Sequence, residues 1–167
     1  MSRTLFIGVF ALIAIAAGGS ILTAQSSSAT LAVSVSVAKD CTISTSPVGF
    51  GAYDPVAANA TAPLDGTGSV IVTCTKGATA HVGLDGGSNG QGTSRRMKLA
   101  SGSEYLAYEL YRDSSRSTVW GEGSAVLDVG AAPSRNPRTF TVYGRVPGGQ
   151  DASVGAYADT VVAIVNF

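Results

Sequence analysis

Residues 31–37 read Leu-Ala-Val-Ser-Val-Ser-Val. Leu31, Val33, Val35 and Val37 alternate with Ala32, Ser34 and Ser36, so one face of an extended chain is aliphatic and the other is small and polar. A helix would scatter these residues around its circumference. A strand collects them, and β-branched valine favours the strand. The same period of two recurs downstream. Val70, Val72 and Cys74 share one face of residues 69–74. Leu106, Tyr108 and Leu110 share one face of residues 105–111, with Glu109 turned to solvent. Phe140, Val142 and Val146 alternate with Thr139, Thr141 and Tyr143. Further short strands are expected at 41–43, 81–84, 118–120, 125–129 and 158–167.

The segments between these strands carry turn chemistry. Ser46-Pro47 with Gly49-Phe50-Gly51 marks a turn, and residues 54–68 form a long surface connection rich in Ala, Pro, Asn and Gly. Asp85-Gly-Gly-Ser-Asn-Gly-Gln-Gly92 reads as a flexible or tightly turned loop, residues 113–116 as a hairpin turn and 133–137 as a loop; Pro147-Gly-Gly-Gln150 breaks the strand before it. No helix is expected beyond the N-terminal segment. This pattern predicts an all-β, antiparallel sandwich of immunoglobulin-like type. Trp120 follows both cysteines, so the Cys-Trp-Cys order of antibody domains is missing and only the architecture is supported.

The N-terminus reads as an export address. Arg3 supplies the positive charge, residues 5–17 are almost wholly apolar, and small residues follow to Ala24 and Ala29, which places cleavage between 24 and 29. A membrane anchor would need ~20 apolar residues, and this run is broken at Gly18, Gly19 and Ser20, so no membrane span is expected in the mature protein. Residues 1–24 are therefore the expected signal peptide, 30–38 an N-terminal strand segment and 39–167 one domain. In an oxidising compartment the two cysteines, Cys41 and Cys74, are expected to form one intrachain disulfide, buried in the core. Eleven basic and eleven acidic residues leave no net charge, which removes the electrostatic basis for nucleic-acid binding.

No catalytic, metal or cofactor site is expected. Gly86-Gly-Ser88-Asn-Gly90 fits a hydrolase nucleophile elbow, but that chemistry requires a following helix and a histidine base. The one histidine, His81, lies on the preceding strand and reads as a partly exposed strand residue. Glu104, Glu109, Asp113, Asp128 and Asp159 are spread over separate elements. Arg95-Arg96 reads as a solvated loop pair, and Asn59-Ala60-Thr61 as a chance sequon. Tyr105, Tyr108, Tyr111 and Trp120 fit core packing as readily as a sugar-binding face.

Several blocks carry a family resemblance. Cys41 followed by Val48-Gly-Phe-Gly-Ala-Tyr53, Ser69-Val-Ile-Val-Thr-Cys74, Tyr108-Glu-Leu-Tyr-Arg-Asp113, Trp120-Gly121, Thr141-Val-Tyr-Gly-Arg-Val-Pro147 with Gln150, and Gly155-Ala-Tyr-Ala-Asp-Thr160 leading to Val165-Asn-Phe167 resemble the spore coat protein U domain, which includes pilins of archaic chaperone–usher systems. The resemblance implies a pilin fold lacking its last strand. A periplasmic chaperone would fill the resulting groove first, and at an outer-membrane usher the N-terminal strand of another pilin subunit, in a homo- or hetero-polymer, would replace it. Leu31, Val33, Val35 and Val37 stand where that donor strand would be. The function implied is that of a pilus subunit serving adhesion or biofilm formation, exported through the periplasm to the cell surface. A secreted coat protein without fibres and a tip adhesin are the alternatives.

Overall fold

The structure, a computed structural model, describes residues 23–167. The expected export segment lies outside the described residues up to position 22. The chain divides into two units, one ending at Val35 and the other running from Ser36 to Phe167. In the first, residues 23–35 carry no secondary structure and expose their side chains, Leu31 and Val33 at 88% and Val35 at 91%. The strongest alternation in the sequence is thus in no ladder. A strand needs a partner edge for its backbone groups, and periodicity alone does not provide one.

The second unit contains β1 (Cys41–Gly49), β2 (Leu64–Cys74), β3 (Thr79–Leu84), β4 (Arg95–Leu99), β5 (Tyr105–Tyr111), β6 (Leu127–Ala131), β7 (Arg138–Val146), β8 (Tyr157–Ala158) and β9 (Ala163–Asn166). A three-residue 3-10 turn, Gly123–Ala125, is the helical element among the described residues. One sheet has the order β1-β2-β7-β5-β4-β8 and the other β6-β3-β9. Every pairing is antiparallel.

The core follows the period-two pattern. Val70, Val72 and Cys74 of β2, Ala80, Val82 and Leu84 of β3, Leu106, Tyr108 and Leu110 of β5, and Val142 and Val146 of β7 are all buried. Trp120 is wholly buried and its Nε1 donates to the Val82 carbonyl at 2.8 Å, which gives its one polar atom a partner. Cys41 and Cys74 are bonded and stand directly opposite each other on β1 and β2. Cys74 is buried as expected, whereas Cys41, on the edge strand, is only half-buried. Closing this loop stabilises the fold by roughly 3–4 kcal/mol on the chain-entropy estimate.

Several expectations are corrected. β1 runs straight through the Ser46-Pro47 turn signal with a register shift between Ser46 and Gly49; β1 pairs on one side only, and an edge strand tolerates a proline. The connection expected to reach Gly68 ends earlier, because β2 starts at Leu64. Arg95-Arg96 opens β4 instead of lying in a solvated loop, and Arg95 is buried. Glu109 does not simply face solvent, since it pairs with Arg95. The expected strand at 125–129 sits at 127–131. The final strand is two, β8 on the first sheet and β9 on the second, so the chain changes sheets at residues 159–162.

Candidate functional site

The free edge of β1 in one sheet and that of β9 in the other approach each other over part of their length and leave a gap over the rest. A hollow of 400 Å³ lies there, walled by Ser46 and Val48 on the β1 side and by Val161 and Ala163 on the β9 side, with Val70 and Leu110 among the residues of its floor. A second hollow of 650 Å³ lies under Gly51–Tyr53 and Val154–Tyr157. Val48, Phe50, Met97 and Tyr157 line both, so the two form one seam.

The β9 wall presents an unpaired edge. The Leu84 N–H donates to Gly121 on the far side of β3, so Gly83 and His81 are the β3 residues whose backbone groups face β9. Their register partners are Ile164 and Asn166, and the ladder continues with Asp85 N–H donating to Val162 at 3.0 Å. Backbone groups alternate sides along a strand, so those of Val161, Ala163 and Val165 point away from β3, toward the seam. Among the described residues, the backbone groups of Asp159 and Val161 meet no partner.

The glycine-rich segment after β3 is tied to this wall. The Asp85 carboxylate accepts from Val162 N–H and Gly87 N–H, both at 2.9 Å, and Ser88 N–H donates to Thr160 at 2.9 Å. Asn89 donates to Asp159 Oδ1 from its backbone at 3.0 Å and from its side chain at 2.9 Å, while Tyr108 Oη donates to Asp159 Oδ2 at 2.7 Å. Burial, with that hydrogen bond, pushes the Tyr108 phenol far above its ordinary range, so it stays a donor. A Cβ at Gly87, where φ is +79, would overlap Asp159 Oδ2.

The other wall is shaped by small residues. Gly144 leaves room for Phe50, since an added Cβ would sit 2.6 Å from its ring, and Phe50 packs edge-on to Tyr108 with centroids 6.1 Å apart. Past Val146 the β7 ladder meets Pro147, and Gln150 takes over, bonding both backbone groups of Ala107 at 2.8 and 3.0 Å. Tyr53 locks this corner, donating to Pro147 and accepting from Gln150 N–H.

The residues weighed for chemistry are engaged in structure. Ser88 Oγ donates to Thr160, and His81 lies beside Asp128, 4.0 Å away, so no serine–histidine pair forms. Glu104 accepts from Ser153, Asp113 from Ser117 and Thr118 in the hairpin turn, and Asp128 from Gly130. Asn59 is buried, bonded to Asp54 and Ala62, which makes it a turn residue. Tyr108 and Trp120 are core residues; Tyr105 is half-exposed, with Arg96 stacked 4.2 Å from its ring centroid. No group of three or more His, Cys, Asp or Glu suited to a metal occurs among the described residues, and no helix among them is long and apolar enough to cross a membrane. Sequence reading missed the β9 edge and its brace. Asp159 at the start of the change of sheet, and Asp85 at the head of the glycine-rich loop, were the available signal.

In fold, the chain resembles the crystal structure of the CsuC–CsuE chaperone–tip adhesion subunit pre-assembly complex from the archaic chaperone–usher Csu pili of Acinetobacter baumannii, with a TM-score of 0.57 and 25% identity over 78% of this chain. It spans 40% of the length of that solved chain. Protein U of Myxococcus xanthus is 40% identical over 130 residues, 71% of this chain and 70% of that protein. Residues 27–164 match the Spore Coat Protein U domain, a span that holds the disulfide and all of the sandwich but the end of β9, and the chain belongs to the Spore Coat Protein U domain family.

Proposed function

We propose that this chain is a structural subunit of a surface pilus, joined to its neighbours by strand addition. Residues 30–37 of one copy lie along β9 in the seam of the next. A periplasmic chaperone covers the seam beforehand, an outer-membrane usher mediates the exchange, and the fibre serves adhesion or biofilm formation. The observation that carries this reading is an unpaired β9 edge backed by an apolar hollow, in a chain whose N-terminal segment exposes alternating aliphatic side chains. Asp159, Val161, Ala163 and Val165 repeat every second residue, as Leu31, Val33, Val35 and Val37 do, and each row spans ~20 Å. Aliphatic side chains would fill the seam, while Ala32, Ser34 and Ser36 would face water. Burying the aliphatic row contributes at most about 6–12 kcal/mol before ordering costs. The similarity to a chaperone-bound pilus subunit supports the same partners here. No enzymatic role is proposed, because the candidate catalytic residues are absorbed by the fold.

The test is the double variant Val33→Asp, Val35→Asp. Both side chains are exposed, at 88% and 91%, so the subunit should fold and co-purify with its chaperone. Docked, each carboxylate would lie unpaired in an apolar seam at a cost of several kcal/mol. Normal soluble subunit with no SDS-resistant polymer is the expected result. Loss of soluble subunit would refute the donor role. The family match favours a second reading, a secreted coat protein assembling without fibres. In that case the wild type forms no linear SDS-resistant polymer and the double variant assembles normally.

A further inference from the structure

We infer that the glycine-rich loop at residues 85–89 sets the length of strand the seam accepts, with Asp85, Asn89 and Asp159 as positioning residues. The inference rests on the strand-addition reading and concerns a part of the site that reading does not require. β9 has four residues, Ala163–Asn166, and by alternation only Ala163 and Val165 turn their backbone groups to the seam. The preceding residues, 159–162, connect two different sheets, because β8 pairs with β4 and β9 with β3. Such a connector has no ladder of its own to hold it extended.

The loop supplies one. Asp85 N–H donates to Val162 at 3.0 Å, and its Oδ1 accepts the Val162 N–H at 2.9 Å, so one residue satisfies both inward groups of Val162. Ser88 N–H takes the Thr160 carbonyl at 2.9 Å, and Asn89 Nδ2 donates to the Ala158 carbonyl at 3.3 Å. The carbonyls of Ala158 and Thr160 and both backbone groups of Val162 are thereby engaged. Those of Asp159 and Val161 are left for an incoming strand, which doubles the row begun by Ala163 and Val165. Asp159 is itself pinned from two sides, by Asn89 on the loop and by the Tyr108 hydroxyl on the seam floor. Gly87 is required because any side chain there would drive Asp159 out of that cradle. The run that resembles a nucleophile elbow is glycine-rich for this purpose: it is the backing of an edge.

The test uses the full chain carrying Val33→Asp and Val35→Asp, which cannot supply its own donor, with a synthetic peptide of residues 30–38 added in trans. Peptide affinity and amide hydrogen exchange are measured. In this parent the peptide should protect the amides of Asp159, Val161, Ala163 and Val165. Adding Asp85→Ala should leave Ala163 and Val165 protected, abolish protection at Asp159 and Val161, and weaken the peptide at least about tenfold, the value of the two lost N–H bonds alone. Asp85→Asn keeps an acceptor oxygen and should restore both readouts. Gly87→Ala should reproduce the Asp85→Ala pattern from the other side. If Asp85→Ala and Gly87→Ala bind as tightly as the parent with Val161 still protected, the length-setting role is overturned while strand addition stands. Uniform loss of protection at all four amides would overturn it too, as would loss of the fold in both variants. A peptide that fails to bind the parent overturns strand addition itself, and this inference with it.

Discussion

Arg95 is the residue whose removal the fold should tolerate least. It is 4% exposed, and its guanidinium reaches three backbone carbonyls: Leu84 at 2.8 Å and Trp120 at 2.9 Å from Nη2, and Asp85 at 2.8 Å from Nε. Nη1 pairs with Glu109. One cation therefore ties β4 to β5, to the end of β3 and to the Trp120 turn. Arg95→Met keeps much of the aliphatic bulk and strips all of these bonds. Breaking a buried ion pair from one side costs about 3–5 kcal/mol, and each stranded carbonyl that water cannot reach adds about 1–3 kcal/mol. Glu109 is 23% exposed and can rehydrate, so the expected loss lies near the low end, about 3 kcal/mol. Arg95→Lys should recover little, because one ammonium cannot span acceptors arranged around a planar fork. Urea denaturation of the disulfide-intact chain measures both. A loss under about 1 kcal/mol for Arg95→Met would refute the claim that this cation holds the sheets' ends together.

Other consequences are open to direct measurement. Gly144→Ala would bring a Cβ within 2.6–2.8 Å of Phe50 and Val48 and should cost about 1–3 kcal/mol; in a Phe50→Ala background the same change should cost less, with only the Val48 contact left to relieve, and equal costs in both would show that Phe50 is not what the glycine accommodates. Thiol labelling of the denatured, unreduced mature chain should find no reactive cysteine, and labelling of both Cys41 and Cys74 would contradict the bridge. Hydrogen bonds from Arg145 hold the Asp65 carboxyl below its ordinary 3.8, those from Ser153 hold Glu104 below 4.5, and those from Ser115 and Ser117 hold Asp113 lower still. Carboxyls depressed in the folded state contribute stability that is complete above the unfolded values and lost as pH falls through the folded ones. The urea midpoint should thus be flat from about pH 5 to 8 and fall below about pH 4; a midpoint unchanged at pH 2 would count against these pairings.

The strands read most easily from sequence are those with one wet and one dry face. Residues 105–111 show this, because Leu106, Tyr108 and Leu110 could only be collected by an extended chain, and β5 has those bounds. β4 escaped because its signal was inverted. Arg95 stands on the core side with its charge satisfied by carbonyls from two other segments and by Glu109 from a third, and no local pattern announces partners so far away. Residues 158–167 are continuously compatible with extension and so predict one final strand; the change of sheet is bonded to Asp85 and Asn89, far earlier in the chain. The seam is a property of which edges lack partners. Composition and period describe strands but say nothing of unpaired edges, so the groove entered only through family resemblance.

The two free edges of the smaller sheet are treated differently. On the β6 side, Arg112 and Arg138 reach over from the larger sheet and donate to the carbonyls of Val126 at 2.7 Å and Val129 at 2.6 Å. The β3–β6 pairing also shifts register between Ala80 and His81, with Gly130 at φ +62, so the edge is bulged as well as covered. Both features obstruct another strand. On the β9 side no arginine among the described residues intervenes, the backing is a row of glycines and short polar residues, and the apolar hollow lies directly behind. A chain with two open edges would associate in any direction and precipitate as sheets. With the smaller sheet open at β9 alone, a strand from a neighbouring copy has one edge of that sheet to join, head to tail, and that contact repeats without closing unless the rotation between subunits returns to its start. Blocking β6 while leaving β9 bare is therefore what the proposed linear polymer requires of the sandwich, and it is achieved with side chains already engaged in holding the two sheets together.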